Sequence, residues 1–135
     1  MELSGKKVAV LADNMYQEME IWYPLYRLRE AGAEVVVLGA KVGEIYTSKL
    51  GYPVVATAAY EDASASEFDG VVVPGGFAPD IIRRYSVAVQ FVKDMDEILK
   101  KALVPEKAQT KPEAAEREPG EKKGRSESAP LSLPV

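Results

Sequence analysis

Cysteine and histidine are both missing from the 135 residues of this chain. That double absence excludes disulfides, thiolate nucleophiles, Cys/His zinc sites and every Ser-His or Cys-His dyad. Chemistry is left to carboxylates, Lys, Tyr, Ser/Thr and backbone amides, and no metal site is expected. Basic charge is also scarce: 17 Lys and Arg stand against 21 Asp and Glu, a net charge of −4, where a nucleic-acid surface would show a clustered basic excess. The pairs Arg83-Arg84 and Lys122-Lys123 therefore read as solvated faces, and no nucleic-acid partner is expected. No apolar run approaches the roughly 20 residues of a membrane span. The stretch between Lys7 and Asp13 is too short for a signal peptide. The expectation is a cytoplasmic protein with no membrane partner.

What is present is an ordinary globular composition, 47% hydrophobic and 28% charged, in a length that suits one modest domain. Lys7 to Ala12 is a continuous apolar run, as in a strand buried on both faces. Ile21, Leu25 and Leu28 then recur at helical spacing, and Gly32 supplies a left-handed cap after Ala31. Glu34 to Gly39 is a second buried strand. Strand, helix and strand make a right-handed βαβ unit and hence a parallel sheet. Glu44–Thr47 and Pro53–Ala56 read as short antiparallel excursions at a sheet edge. Ser64–Phe68 reads as a helical turn, with Ser64 as its cap and Glu67 at the capping-box position. Gly70–Val73 is a third buried strand, ending at Pro74-Gly75-Gly76. A short helix over Pro79–Arg84 follows, then a longer one over Ser86–Leu103 with Val89, Val92, Met95, Ile98 and Leu99 on one stripe.

After Leu103 the composition changes. Residues 104–135 hold no aromatic residue and five of the nine prolines, with dense alternating charge. Such a segment buries too little apolar surface to offset its ordering entropy, so a disordered tail is expected beside a domain over residues 1–103.

Two loops stand where open parallel sheets place ligands, outside the carboxyl ends of strands. The first carries Asp13, Asn14, Glu18 and Glu20. Pro24 leaves the Glu20 carbonyl without its helical donor, which fits a helix beginning near Glu20 and pointing that side chain at the strand ends. The same acids also suit the positive end of a helix dipole. The second loop is Val73-Pro74-Gly75-Gly76-Phe77-Ala78-Pro79, whose glycines let backbone amides approach an anion; Pro-Gly-Gly is equally common turn chemistry. No glycine follows the first strand where a dinucleotide-binding unit needs G-x-G-x-x-G, and no cofactor is expected. The third strand closes on Val73-Pro74, where a phosphoacceptor receiver needs an aspartate. Trp22, Tyr23 and Tyr26 read as either core or subunit-interface residues.

Taken together, LADNMYQEMEIWYPLYRLREAG followed by VVVPGGFAPD resembles the ThiJ/PfpI family of intracellular cysteine peptidases, glyoxalases and deglycases over about the first 100 residues. The resemblance implies a flavodoxin-like, three-layer α/β/α sandwich with a parallel sheet, of the class I glutamine amidotransferase type and incomplete on its C-terminal side. It implies that Glu20 matches the glutamate contacting the family's catalytic cysteine, and that Gly75 and Gly76 match its oxyanion amides. It also implies a homo-oligomer, with a small-molecule or peptide substrate in a complete member. The departure is plain: the strand, sharp turn, cysteine and histidine that follow the long helix in the family are replaced here by the charged tail. A shifted reading frame and a natural truncation would both produce such a change. The expectation is a truncated hydrolase without activity of its own; the alternative is a non-enzymatic binding or assembly module on the same scaffold. Without a central strand, the neighbouring strand edge is unpaired, so marginal stability or self-association is expected.

Overall fold

The computed structural model describes residues 1–103; the expected tail and domain boundary concern residues that lie outside the described ones. Strand β1 (Lys7–Leu11) leads through helix α1 (Glu18–Glu30) into β2 (Glu34–Gly39). The two strands pair in parallel from Lys7↔Glu34 to Leu11↔Leu38. Two short strands follow, β3 (Ile45–Thr47) and β4 (Pro53–Val55), then β5 (Ala58–Ala59), β6 (Gly70–Val72), α2 (Ala78–Ile82) and α3 (Ser86–Leu103). The main sheet has the order β5-β2-β1-β6, and each of its pairings is parallel.

Val8 to Leu11 are buried whichever face they point to, so helices and loops cover both sides of the sheet at its centre. α1 packs on β1 and β2, and α3 on β6 and the 3-10 turns at Tyr60–Asp62 and Ala65–Glu67. The parallel sheet is the one expected from the βαβ pattern, and the three layers are those the family resemblance implies. Burying Leu11, Ile21, Leu25 and Leu38 almost completely is worth about 2 kcal/mol for each side chain. Gly32 has φ +95° and closes α1, its amide donating to the Arg29 carbonyl at 3.0 Å.

Four details differ from the sequence reading. β3 and β4 form a separate two-stranded antiparallel sheet rather than an edge of the main one; β5 takes the edge beside β2 instead. Ser64 and Glu67 flank a 3-10 turn with no side-chain cap, because Ser64 Oγ pairs with Ser66 Oγ at 2.9 Å. The third strand stops at Val72 and is half-buried throughout, since β1 is its sole partner among the described residues. The buried stripe of α3 runs through Ala88, Phe91 and Met95; Ile98 and Leu99 are exposed.

Gly39 fixes the β3–β4 hairpin against the main sheet. A Cβ there would lie 2.5 Å from the Tyr46 ring and 2.8 Å from the Ala56 Cβ. The Tyr46 hydroxyl accepts from the Ala40 amide at 2.7 Å and donates to Glu44 at 2.8 Å. Gly39→Ala is therefore expected to cost about 1–3 kcal/mol by overpacking, measured by urea unfolding. A loss below about 0.5 kcal/mol, the ordinary range for an uninvolved surface change, would show that the tyrosine moves aside freely.

Candidate functional site

The carboxyl ends of β1 and β6 are joined by backbone. Tyr16 and Gly76 form an antiparallel bridge, in which the Phe77 amide donates to the Met15 carbonyl at 2.9 Å and the Gln17 amide to the Gly75 carbonyl at 3.2 Å. Gly76 has φ +81°, and a Cβ on it would stand 2.5 Å from the Met15 oxygen. Only glycine fits there. Met15 is itself left-handed at φ 63°, a costly state for a side-chain-bearing residue. Both its backbone groups are held, the amide by the Thr47 carbonyl at 2.8 Å and the carbonyl by Phe77.

Helix α1 begins at Glu18, two residues before the start that Pro24 suggests, because Gln17 caps it: the Gln17 side chain accepts from the Met19 and Glu20 amides at 2.8 and 3.2 Å. Glu20 thus sits in the first turn, with Pro24 one turn on. Its carboxylate accepts a hydrogen bond from the Gly75 amide. A Cβ at Gly75 would collide with that carboxylate, its carbon lying 3.1 Å away. Glu20, Gly75 and Gly76, drawn from sequence segments some 55 residues apart, are brought together. The Gly75 amide, a candidate for holding developing negative charge, is engaged by Glu20 in this state.

The other polar residues of the loop go elsewhere. Asn14 accepts from the Thr47 amide at 3.0 Å, and Glu18 from the Leu50 amide at 2.8 Å, so both hold the β3–β4 hairpin. Hydrogen bonding from Ser48 and the backbone keeps the Glu18 carboxyl below its ordinary range. Asp13 is buried. Its Oδ1 takes the Asn14 amide at 2.7 Å, while Oδ2 has no hydrogen-bond partner. Burial pushes its carboxyl above the ordinary range; the Asn14 amide opposes this and Glu44 adds to it. Burial also raises the hydroxyls of Tyr46 and Tyr60 beyond their usual range.

Tyr16 is not among the candidate residues named above. It is completely buried, its hydroxyl donating to the Tyr52 carbonyl at 2.7 Å and accepting from the Trp22 indole at 3.1 Å. An aromatic residue inside an otherwise polar loop was the available signal. Trp22 is half-buried and stacks on Tyr26 at 5.5 Å, whereas Tyr23 and Tyr26 are largely exposed, so these two do not belong to the core. No group of three or more acidic side chains that could hold a metal ion occurs among the described residues.

A parallel α/β sandwich with a glutamate laid against a Pro-Gly-Gly loop at its strand ends defines a class of protein, and the comparisons say which. Residues 6–103 match the DJ-1/PfpI family, and the chain belongs to that family. It is 42% identical over 92 residues to an uncharacterised protein of Archaeoglobus fulgidus, covering 68% of this chain and 54% of that one. It is 41% identical over 91 residues to a deglycase of Thermococcus kodakarensis, covering 67% and 54%. Deglycase PfpI of Pyrococcus furiosus is 36% identical over 89 residues, covering 66% and 53%. Among solved structures, the fold matches a two-domain protein of Anabaena variabilis with DJ-1/ThiJ/PfpI-like and ferritin-like domains, at TM-score 0.67 and 44% identity over 69% of this chain and 27% of that one. Oxidised DJ-1 of Toxoplasma gondii matches at TM-score 0.61 and 27% identity, over 67% and 50%. The chain spans about half the length of the curated relatives it matches. No helix among the described residues is long and apolar enough to cross a membrane.

Because the folded chain holds the Asp13 proton more tightly than the unfolded chain does, ionising Asp13 works against folding. The penalty is absent below the ordinary carboxylate range and grows as pH rises through the higher native value. Asp13→Asn is expected to stabilise the protein at pH 7, with the gain vanishing below about pH 4. Thermal unfolding at the two pH values measures this; an equal change at both would remove the charge from the explanation.

Proposed function

We propose that this chain carries the carboxylate and backbone-amide half of a thiol hydrolase site of the peptidase or deglycase kind, and that it turns over no substrate by itself. The observation that supports this reading is the Glu20 carboxylate set against the Gly75 amide, in a sequence with no cysteine and no histidine. A carboxylate beside a thiol orients it and exchanges its proton; amides at a strand end hold the oxyanion that attack creates. With no nucleophile, neither group forms a covalent intermediate. In a complete relative Glu20 would tune the cysteine, and Gly75 and Gly76 would face the developing charge. The work belongs to the cytoplasm, and no cofactor enters it.

The same reading includes self-association. Met19, Trp22 and Tyr26 of α1 and Leu50, Tyr52 and Pro53 of the hairpin line an apolar depression of about 700 Å³, and Met19, Tyr26, Leu50 and Tyr52 are largely exposed. Aromatic and Met side chains are what subunit interfaces concentrate, and a second copy is the occupant this face suits. Sedimentation should show an oligomer that Leu50→Asp dissociates; a monomer at high concentration would refute it.

For the chemistry, the purified chain is incubated with methylglyoxal, a methylglyoxal-treated lysine derivative or a labelled peptide. Product formation is expected to match that of Glu20→Ala and of buffer. Turnover above the Glu20→Ala control would overturn the reading and show that Glu20 supports catalysis without a thiol.

A further inference from the structure

A cavity of about 350 Å³ lies at the carboxyl ends of β2 and β5, where Lys41 follows the one strand and Tyr60 the other, against the start of α3. Ligands of open parallel sheets gather outside such strand ends, and the volume falls at the small end of the range for ligand pockets. Its polar groups come from Lys41, Tyr60, Glu61, Arg84, Tyr85 and Ser86, and it shares no lining residue with the Glu20–Gly75 site. Lys41, Glu61 and Arg84 are exposed and enter no ion pair among the described residues. The neighbouring Arg83, by contrast, is bound to Asp80 at 3.1 Å. The two tyrosines form one wall, their ring centres 5.6 Å apart. Tyr60 is anchored by its hydroxyl, which donates to the Ala12 carbonyl at 2.9 Å, one residue from Asp13. Burial, and after it the charges of Asp13 and Glu44, hold the Tyr85 hydroxyl above its ordinary range, and the same two carboxylates act on Tyr60. The tyrosine wall is therefore backed by negative charge, including the buried Asp13 carboxylate with its unpartnered oxygen. The exposed side chains of Lys41 and Arg84 bring positive charge to the same cavity.

We propose that this cavity binds a small zwitterion, a free α-amino acid, with its carboxylate on Arg84 and Lys41 and its ammonium on the face of Tyr85 and on Glu61. Both charges of the ligand are needed. A plain anion satisfies the Arg84 guanidinium, which takes a carboxylate in two parallel hydrogen bonds, but it is repelled by Glu61 and by Asp13 and Glu44 behind the tyrosines. A plain cation suits an aromatic face and these acids, but it is repelled by Lys41 and Arg84. The zwitterion answers both signs at once. Its ammonium supplies the positive charge that the unpartnered Asp13 oxygen lacks, and the aromatic wall keeps water from screening that attraction. The site is independent of any thiol chemistry at Glu20.

The test titrates the full chain with L-alanine and follows the amide resonances of Lys41, Glu61, Ser86 and Val87 by NMR. Ethylamine, which is alanine without its carboxylate, and propionate, which is alanine without its ammonium, serve as the comparison ligands. Saturable shifts at these four amides are expected with L-alanine, and binding at least about tenfold weaker with either comparison ligand, because each leaves charged groups of the cavity unanswered. Arg84→Glu should weaken L-alanine by a similar factor, with circular dichroism confirming that the variant is folded. No saturable shift at these amides would overturn the proposal. So would propionate binding as tightly as L-alanine, which would make the cavity a simple anion patch, or ethylamine doing so, which would make it a cation site. Equal binding of L-alanine to the folded Arg84→Glu variant would also overturn it, because the carboxylate would then rest elsewhere.

Discussion

The short antiparallel bridge between Tyr16 and Gly76 is the constraint on which the rest of the site depends. It clamps the loop after β1 to the loop after β6 at the carboxyl end of the sheet. The Met15 carbonyl occupies the space a Gly76 side chain would need, so the second glycine of the Pro-Gly-Gly turn is required by a backbone and not by a ligand. The first glycine leaves room for the Glu20 carboxylate, the end of a flexible side chain that a Cβ would displace from the Gly75 amide. Two adjacent glycines thus answer to two different neighbours, and both come from one short segment, Met15 in the loop after β1 and Glu20 in the first turn of α1.

That loop is held from the opposite side as well. The β3–β4 hairpin supplies the Thr47 carbonyl to the Met15 amide, the Thr47 amide to Asn14 and the Leu50 amide to Glu18. The Tyr16 ring, buried between them, ends on the Tyr52 carbonyl. Met15 can remain left-handed because every polar group of its backbone has a partner in this arrangement. The unsatisfied oxygen of Asp13 lies one residue from this network. Strain and an orphaned carboxylate at the end of β1 are concentrated where the family resemblance puts chemistry, which is where proteins commonly tolerate local instability.

Much of this was legible in the residues. The apolar runs Lys7–Ala12 and Glu34–Gly39 and the span Ser86–Leu103 appear as elements with nearly those bounds, because continuous burial and helical periodicity are local signals. The juxtaposition of Glu20 with Gly75 was legible only through the likeness of two motifs to a family, since nothing local links positions 55 apart. The separate hairpin, the strand at Ala58–Ala59 and the shifted stripe of α3 were not legible. A two-residue strand carries no periodicity, and Ile98 and Leu99 are exposed, so their apolar character has no burial to match. The cap by Gln17 was hidden because Gln is not among the residues that favour that position.

The long reach of the Glu20–Gly75 hydrogen bond sets an order of assembly. α1 and the first two strands can pair as soon as residues up to Gly39 are available, since their contacts are close in sequence. The carboxylate acquires its amide only after β6 has docked on the far side of β1, which closes a loop of some fifty residues and forms later on entropic grounds. During synthesis, therefore, Glu20 waits in solvent while the scaffold beneath it is already built. The half-site is a late event in folding, and its completion records that the third long-range pairing of the sheet has been made.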